Sequence, residues 1–139
     1  GGPGNSSQCG ASLYILYRGV RMPRRGFQKQ FVALVESGAK KQTIRAKRRD
    51  GRNPKVGDKL YLYSGLRTKG CRKLGEAICT SVQEITLNWR GVCLGGKWLT
   101  AEEQTSLARA DGFSCFENMV VWFEETHESE YFWGLLIKW

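Results

Sequence analysis

The residues whose types and spacing could do chemistry gather in one stretch, Gly38-Ala39-Lys40-Lys41-Gln42-Thr43-Ile44-Arg45. It brings an amine, a hydroxyl and a guanidinium to the junction where an amphipathic helix should stop and a strand should start. In such a junction the backbone, more than solvent, decides where side chains point. From Thr43 onward the pattern alternates, so Thr43, Arg45 and Lys47 share one strand face and Ile44 and Ala46 the other. One face is therefore polar and basic, while the other can pack inward. Either Lys40 or Lys41 points into the junction, since a slip of one residue in the turn exchanges them.

The elements that must position this stretch are legible on both sides. Phe27, Phe31, Leu34 and Val35 fall at i, i+4, i+7 and i+8, which predicts a helix over Gly26–Ser37. Gly38 is placed to end it in a left-handed conformation. A strand is predicted over Gln42–Ala46. Asp50-Gly51 and Asn53-Pro54 put turns in the polar stretch 47–55. Strands follow over Lys59–Ser64 and, as one long strand, from about Leu74 to Ile85. Thr86–Leu99 reads as a hairpin around Gly91, Gly95 and Gly96. Thr100 with Glu103, and Ser114 with Glu117, have capping-box spacing for two helices, the first closed by Gly112. Phe116, Met119, Val120 and Phe123 form the stripe of the second. Tyr131–Trp139 alternates as a last strand. Short strands flanked by helices predict an α+β fold with a small curled sheet or barrel of about five to six strands and about three helices.

Composition bounds the partner. The chain has 139 residues, 41% apolar and 25% charged, enough for one domain with a real core. Its net charge is +9, and a small domain this basic is drawn to polyanions, nucleic acid first. The charge is directional. Fourteen Lys or Arg stand against three acids between Arg18 and Lys59, and eight acids against one base between Ala101 and Glu130. The five cysteines are irregularly spaced without C-x-x-C, and His127 is the only histidine, which argues against a zinc site. No metal or cofactor is implied, and the cysteines read as reduced thiols of a cytoplasmic protein. No apolar run approaches ~18 residues, so no membrane span is predicted. Residues 1–24, opening on a Gly-, Pro-, Asn- and Ser-rich run, read as a flexible or non-native extension, with the domain over 25–139.

At this point the residues resemble a known family. Gly38-x-Lys40-x-x-Thr43-x-Arg45 looks like the G-x-K-x-x-T-x-R signature of ASCH domains, a branch of the PUA-like β-barrel superfamily. The resemblance extends in order through Val56-Gly57-Asp58, Gly75-Glu76-Ala77, Ala110-Asp111-Gly112-Phe113 and Ile137-Lys138-Trp139, covering roughly Arg25 to Trp139. It implies a small PUA-like barrel that binds RNA or a modified nucleobase in a basic pocket. Some small members are similar amidohydrolases acting on N4-acetylcytidine, and a further member resembles a ribonuclease. For the amidohydrolase reading the resemblance implies Lys40 as proton acceptor, Thr43 as nucleophile and Asp111 as proton donor. The hydrolases carry glutamate at this last position, one methylene longer.

The residues fit that chemistry on stated conditions. A threonine hydroxyl needs a base to take its proton, and a lysine can be that base only when its pKa falls well below ~10.4. Lys41, Arg45, Arg48 and Arg49 repel charge on Lys40, while the preceding helix end favours it. Asp111, beside the carbonyl end of its helix, should have a raised pKa. Arg45 or a backbone N–H would face an oxyanion. Around the pocket, Lys41, Lys47, Arg48, Arg49, Arg52, Lys55, Arg67, Lys69, Arg72 and Lys73 line up as a phosphate track, with Tyr61 and Tyr63 placed to stack on unpaired bases. A ribonuclease would need lysine and arginine to cleave, because His127 stands alone.

Overall fold

A computed structural model describes residues 13–17, 20–21, 29–64 and 72–139. In chain order the elements begin with β1 (Leu13–Tyr17), β2 (Val20–Arg21), α1 (Lys29–Ser37), β3 (Gln42–Ala46), β4 (Lys59–Ser64) and β5 (Arg72–Ile78). They continue with β6 (Ser81–Asn88), β7 (Gly91–Leu94), β8 (Lys97–Trp98), α2 (Ala101–Ala110), α3 (Phe116–His127) and β9 (Phe132–Lys138). The strands form two antiparallel sheets, ordered β2-β1-β4-β5 and β3-β9-β6-β7-β8. The α+β class is as expected. Among the described residues the sheets do not join into a closed barrel, and the strands number nine rather than five or six.

The extra strands have identifiable causes. β1 pairs with β4 from Leu13↔Ser64 to Leu16↔Tyr61, so the first sheet begins ahead of the boundary at residue 24 that composition suggests. The long strand divides at Cys79–Thr80, where the chain changes sheet. β5 pairs with β4, whereas β6 pairs with β9. The crossing is tied on both sides: Gly57 N–H donates to Cys79 O at 2.8 Å, Cys79 N–H to Asp58 O at 2.8 Å and Thr80 N–H to Lys138 O at 2.9 Å. Alternation alone cannot reveal a change of partner, because the side-chain period continues across it.

Two cores follow from this arrangement. Leu60 and Leu62 of β4 meet Leu135 and Ile137 of β9 between the sheets, with Phe31 and Val35 of α1. Ile44, Ile85, Leu87, Phe132 and Leu136 line the other face of the second sheet, against Leu107, Met119, Val120 and Phe123 of α2 and α3. β9 thus packs on both faces, which is why its alternation is incomplete: Phe132 and Leu136 are as buried as Leu135 and Ile137. Only Tyr131 and Trp133, near its start, face solvent, and Trp139 packs partly against the inter-sheet core.

The helix caps are half as expected. Thr100 accepts from Glu103 N–H at 3.2 Å, and its own N–H donates to Glu103 Oε1 at 2.9 Å, a complete capping box. The second box does not form. Cys115 is the N-cap of α3 without a side-chain bond, and Ser114 Oγ instead accepts from Asn118 Nδ2 at 2.7 Å. No helix among the described residues is long and apolar enough to cross a membrane.

Candidate functional site

Helix α1 ends as its glycine dictates. Gly38 adopts φ 84°, and beyond it the Lys40 N–H donates back to Leu34 O at 2.9 Å. That closure turns the Lys40 side chain inward, to 1% exposure, and leaves Lys41 exposed. The ambiguity between the two lysines is thereby resolved by backbone geometry.

What meets Lys40 comes from 71 residues further along. Asp111 is the C-cap of α2 at φ −87°, followed by Gly112 at φ 100°. Gly112 N–H donates to Arg109 O and Phe113 N–H to Ala108 O, the Schellman closure of a helix. Lys40 Nζ lies 3.0 Å from Asp111 Oδ1 and donates to the Asp111 carbonyl at 2.7 Å. One amine therefore neutralises the carboxylate and caps the negative end of α2. Gln42 Nε2 donates to the same Oδ1 at 3.3 Å. Burial pulls the Lys40 pKa below its ordinary value against the opposing pull of Asp111, with Arg45 adding to the lowering. It likewise raises Asp111, against Lys40, Gln42 and Arg45. The dry surroundings thus push both groups towards their neutral forms, a base and a proton donor.

Thr43 and Arg45 are also buried, at 1% and 3% exposure, but on the other side of β3. In register they face Ile137 and Leu135, which belong to the inter-sheet core, whereas Gln42 and Ile44 look towards α2. No hydrogen bond joins the Thr43 hydroxyl to Lys40 or Asp111 among the described residues. The motif's amine and carboxyl are together; its hydroxyl sits one strand face away. Gln42, which contacts Asp111, is a site residue that the sequence reading does not single out. Its signal is nonetheless there: it lies two residues from Lys40, on the strand face that Thr43 does not share.

The outlying cations are dispersed. Lys47 pairs with Glu84 at 2.7 Å and sits over the Trp133 ring, 4.4 Å from its centroid. Arg48 grips Asp50 through two side-chain bonds, which with the Arg52 N–H hold that carboxyl down to about 2. Arg49, Arg52 and Lys55 are exposed on the same loop. Arg72 pairs with Glu36, and Lys73 with Glu76. Tyr61 and Tyr63 are half-buried, and Tyr61 has the amines of Lys59 and Lys73 each 5.4 Å from its ring centre. These residues lie on β4 and β5 of the first sheet, whereas Lys47–Lys55 leaves the edge of the second, so they do not form one continuous track. Arg67 and Lys69 lie outside the described residues.

Beside the Lys40–Asp111 pair runs an open cleft of about 910 Å³, lined by Phe31, Leu34, Arg109, Gly112, Phe113 and Trp122 among others. Phe31 is the wall it shares with the pair: its ring centre is 5.6 Å from Lys40 Nζ. Comparison with known protein families, curated proteins and solved structures returns no match.

Proposed function

We propose that this chain is a PUA-like ASCH domain that binds RNA or a modified cytidine base at the site around Lys40, Thr43, Arg45 and Asp111. One observation carries the reading. Lys40 and Asp111, 71 residues apart, are buried together at 3.0 Å beside an open cleft of about 910 Å³, roomy enough for a nucleoside. Burying a lysine and a carboxylate costs several kcal/mol per ion before their attraction is counted, so a binding role gives the pair a reason beyond stability. Phe113 and Trp122, both half-buried, offer ring faces for a pyrimidine in the cleft, and buried Phe31 is the wall between that cleft and the amine and carboxyl. In the same reading the two sheets, sharing the core of Leu60, Leu62, Leu135 and Ile137, are the halves of a PUA-like barrel. The free thiols of Cys79, Cys93 and Cys115 fit a cytoplasmic protein.

A second reading, removal of the acyl group from N4-acetylcytidine, is favoured by the lowered pKa of Lys40 and the raised pKa of Asp111. It ranks second because Thr43 lies on the opposite face of β3 from Gln42. The test is incubation with N4-acetylcytidine, with binding followed by calorimetry and product by mass spectrometry. Binding without product supports recognition alone. Cytidine formed by the parent and abolished in Thr43→Val, with binding retained, supports hydrolysis. Neither binding nor product overturns both readings.

A further inference from the structure

The face of the second sheet that packs on the first through Leu135 and Ile137 runs on, at its Trp133 end, into an open stretch that the site does not use. We propose that this stretch is a platform for single-stranded RNA, on which unpaired bases stack against Trp133 and Trp98. The inference goes beyond the site reading and shares with it only RNA as the class of partner.

The register builds the platform. Trp133 on β9 faces Thr86 on β6, Thr86 faces Cys93 on β7, and Cys93 faces Trp98 on β8. Directly paired residues project to the same side, so the four form one row across four strands. With strands ~4.8 Å apart, the indoles stand ~14 Å from each other across a floor of small side chains. Both are open to solvent, Trp133 at 50% and Trp98 at 63% exposure. Tyr131, two residues before Trp133, is exposed as well. Lone exposed apolar residues need no explanation, but two indoles in register on a single face form a patch.

Charge selects the occupant. Lys47 follows the Ala46↔Gly134 pair, which places it opposite Trp133 and extends the row to the β3 edge. Glu84 neutralises Lys47, so the phosphate contacts fall to the exposed Arg49 and Lys55 of the loop that leaves from this edge. The acid-rich helices α2 and α3 cover the opposite face of the same sheet. The open stretch therefore has the basic loop at its margin and the acidic helices behind it. Aromatic rings on an open sheet, bordered by cations, suit unpaired bases with their phosphates outward.

The test uses the full chain and a short fluorescein-labelled oligouridine, titrated by anisotropy at several salt concentrations. Trp98→Ala should weaken binding by roughly tenfold or more, the scale of one missing base stack, and Trp98→Phe should recover most of it. Because the indole carries no charge, the slope of log affinity against log salt should not change. Replacing Arg49 and Lys55 with alanine should instead flatten that slope, by ~0.7 for each phosphate no longer neutralised. Trp98 is exposed, so its removal leaves both cores intact. Unchanged affinity in Trp98→Ala overturns the proposal. So does loss of self-association in that variant without loss of oligouridine binding, which would make the face an interface between copies. N4-acetylcytidine binding, measured alongside, separates the two claims. A chain that binds the nucleoside but no oligouridine overturns only the platform, and one that binds oligouridine through Trp98 but no nucleoside overturns only the site.

Discussion

Lys40 and Asp111 set the energetics of the site at the scale of single residues. Each is held against its solvation by the other, so removing one leaves an uncompensated buried group. Lys40→Met alone should destabilise the chain by about 3–5 kcal/mol, whereas Lys40→Met with Asp111→Leu should be neutral or stabilising by about 1–4 kcal/mol. Urea unfolding of the three chains measures both. Comparable losses in the single and double variants would show that removing Asp111 as well does not relieve the buried charge, and would contradict this account. The pH dependence has a definite sign. Folded Asp111 keeps its proton above its ordinary 3.8, so the folded chain binds more protons in that window and stability falls as pH rises through it. Folded Lys40 loses its proton below its ordinary 10.5, so there the unfolded chain binds more and stability rises with pH. Relative to the double variant, the parent should be least stable between those windows. Unfolding midpoints that run parallel in the two chains across pH would contradict this.

Among the elements, the α2–α3 turn is what delivers Asp111. Gly112 is there for two reasons: its φ of 100° disfavours a side chain, and a Cβ would come within 2.7 Å of the Phe31 ring. Gly112→Ala should cost about 1–3 kcal/mol and weaken nucleoside binding with it, since Asp111 and Phe31 both move. Unchanged thermal unfolding would show that the turn tolerates the strain. This turn and the α1–β3 junction are legible in the sequence, because glycine after a helical stripe has local chemistry. So are β3 and β4, whose bounds agree residue for residue with Gln42–Ala46 and Lys59–Ser64. The change of sheet at Cys79 is not, because it depends on which strand lies alongside. The strand Leu13–Tyr17 is equally hidden in the sequence, since its pairing partner β4 lies far along the chain. Alternation does place Thr43 on a face with Arg45. That this face looks away from Asp111 depends on where α2 packs, which no local pattern encodes.

At the scale of the whole molecule, the second sheet separates acids from cations. Among the described residues, the helices bring acids to one side of the second sheet, while the loop 47–55 brings cations to the margin of the other. An anionic strand should be steered to the open stretch beside that loop, with an association rate that falls as salt rises. Rates measured by stopped flow that are indifferent to salt would sink that steering. The central claim is that the buried Lys40–Asp111 pair is a binding site, and calorimetric titration of N4-acetylcytidine into the parent and into the Lys40→Met, Asp111→Leu double variant tests it most directly. Both chains should be folded, so the comparison isolates the site from the scaffold. Saturable binding by the parent that disappears in the double variant is the expected result; equal binding by the two, or none by the parent, would contradict it.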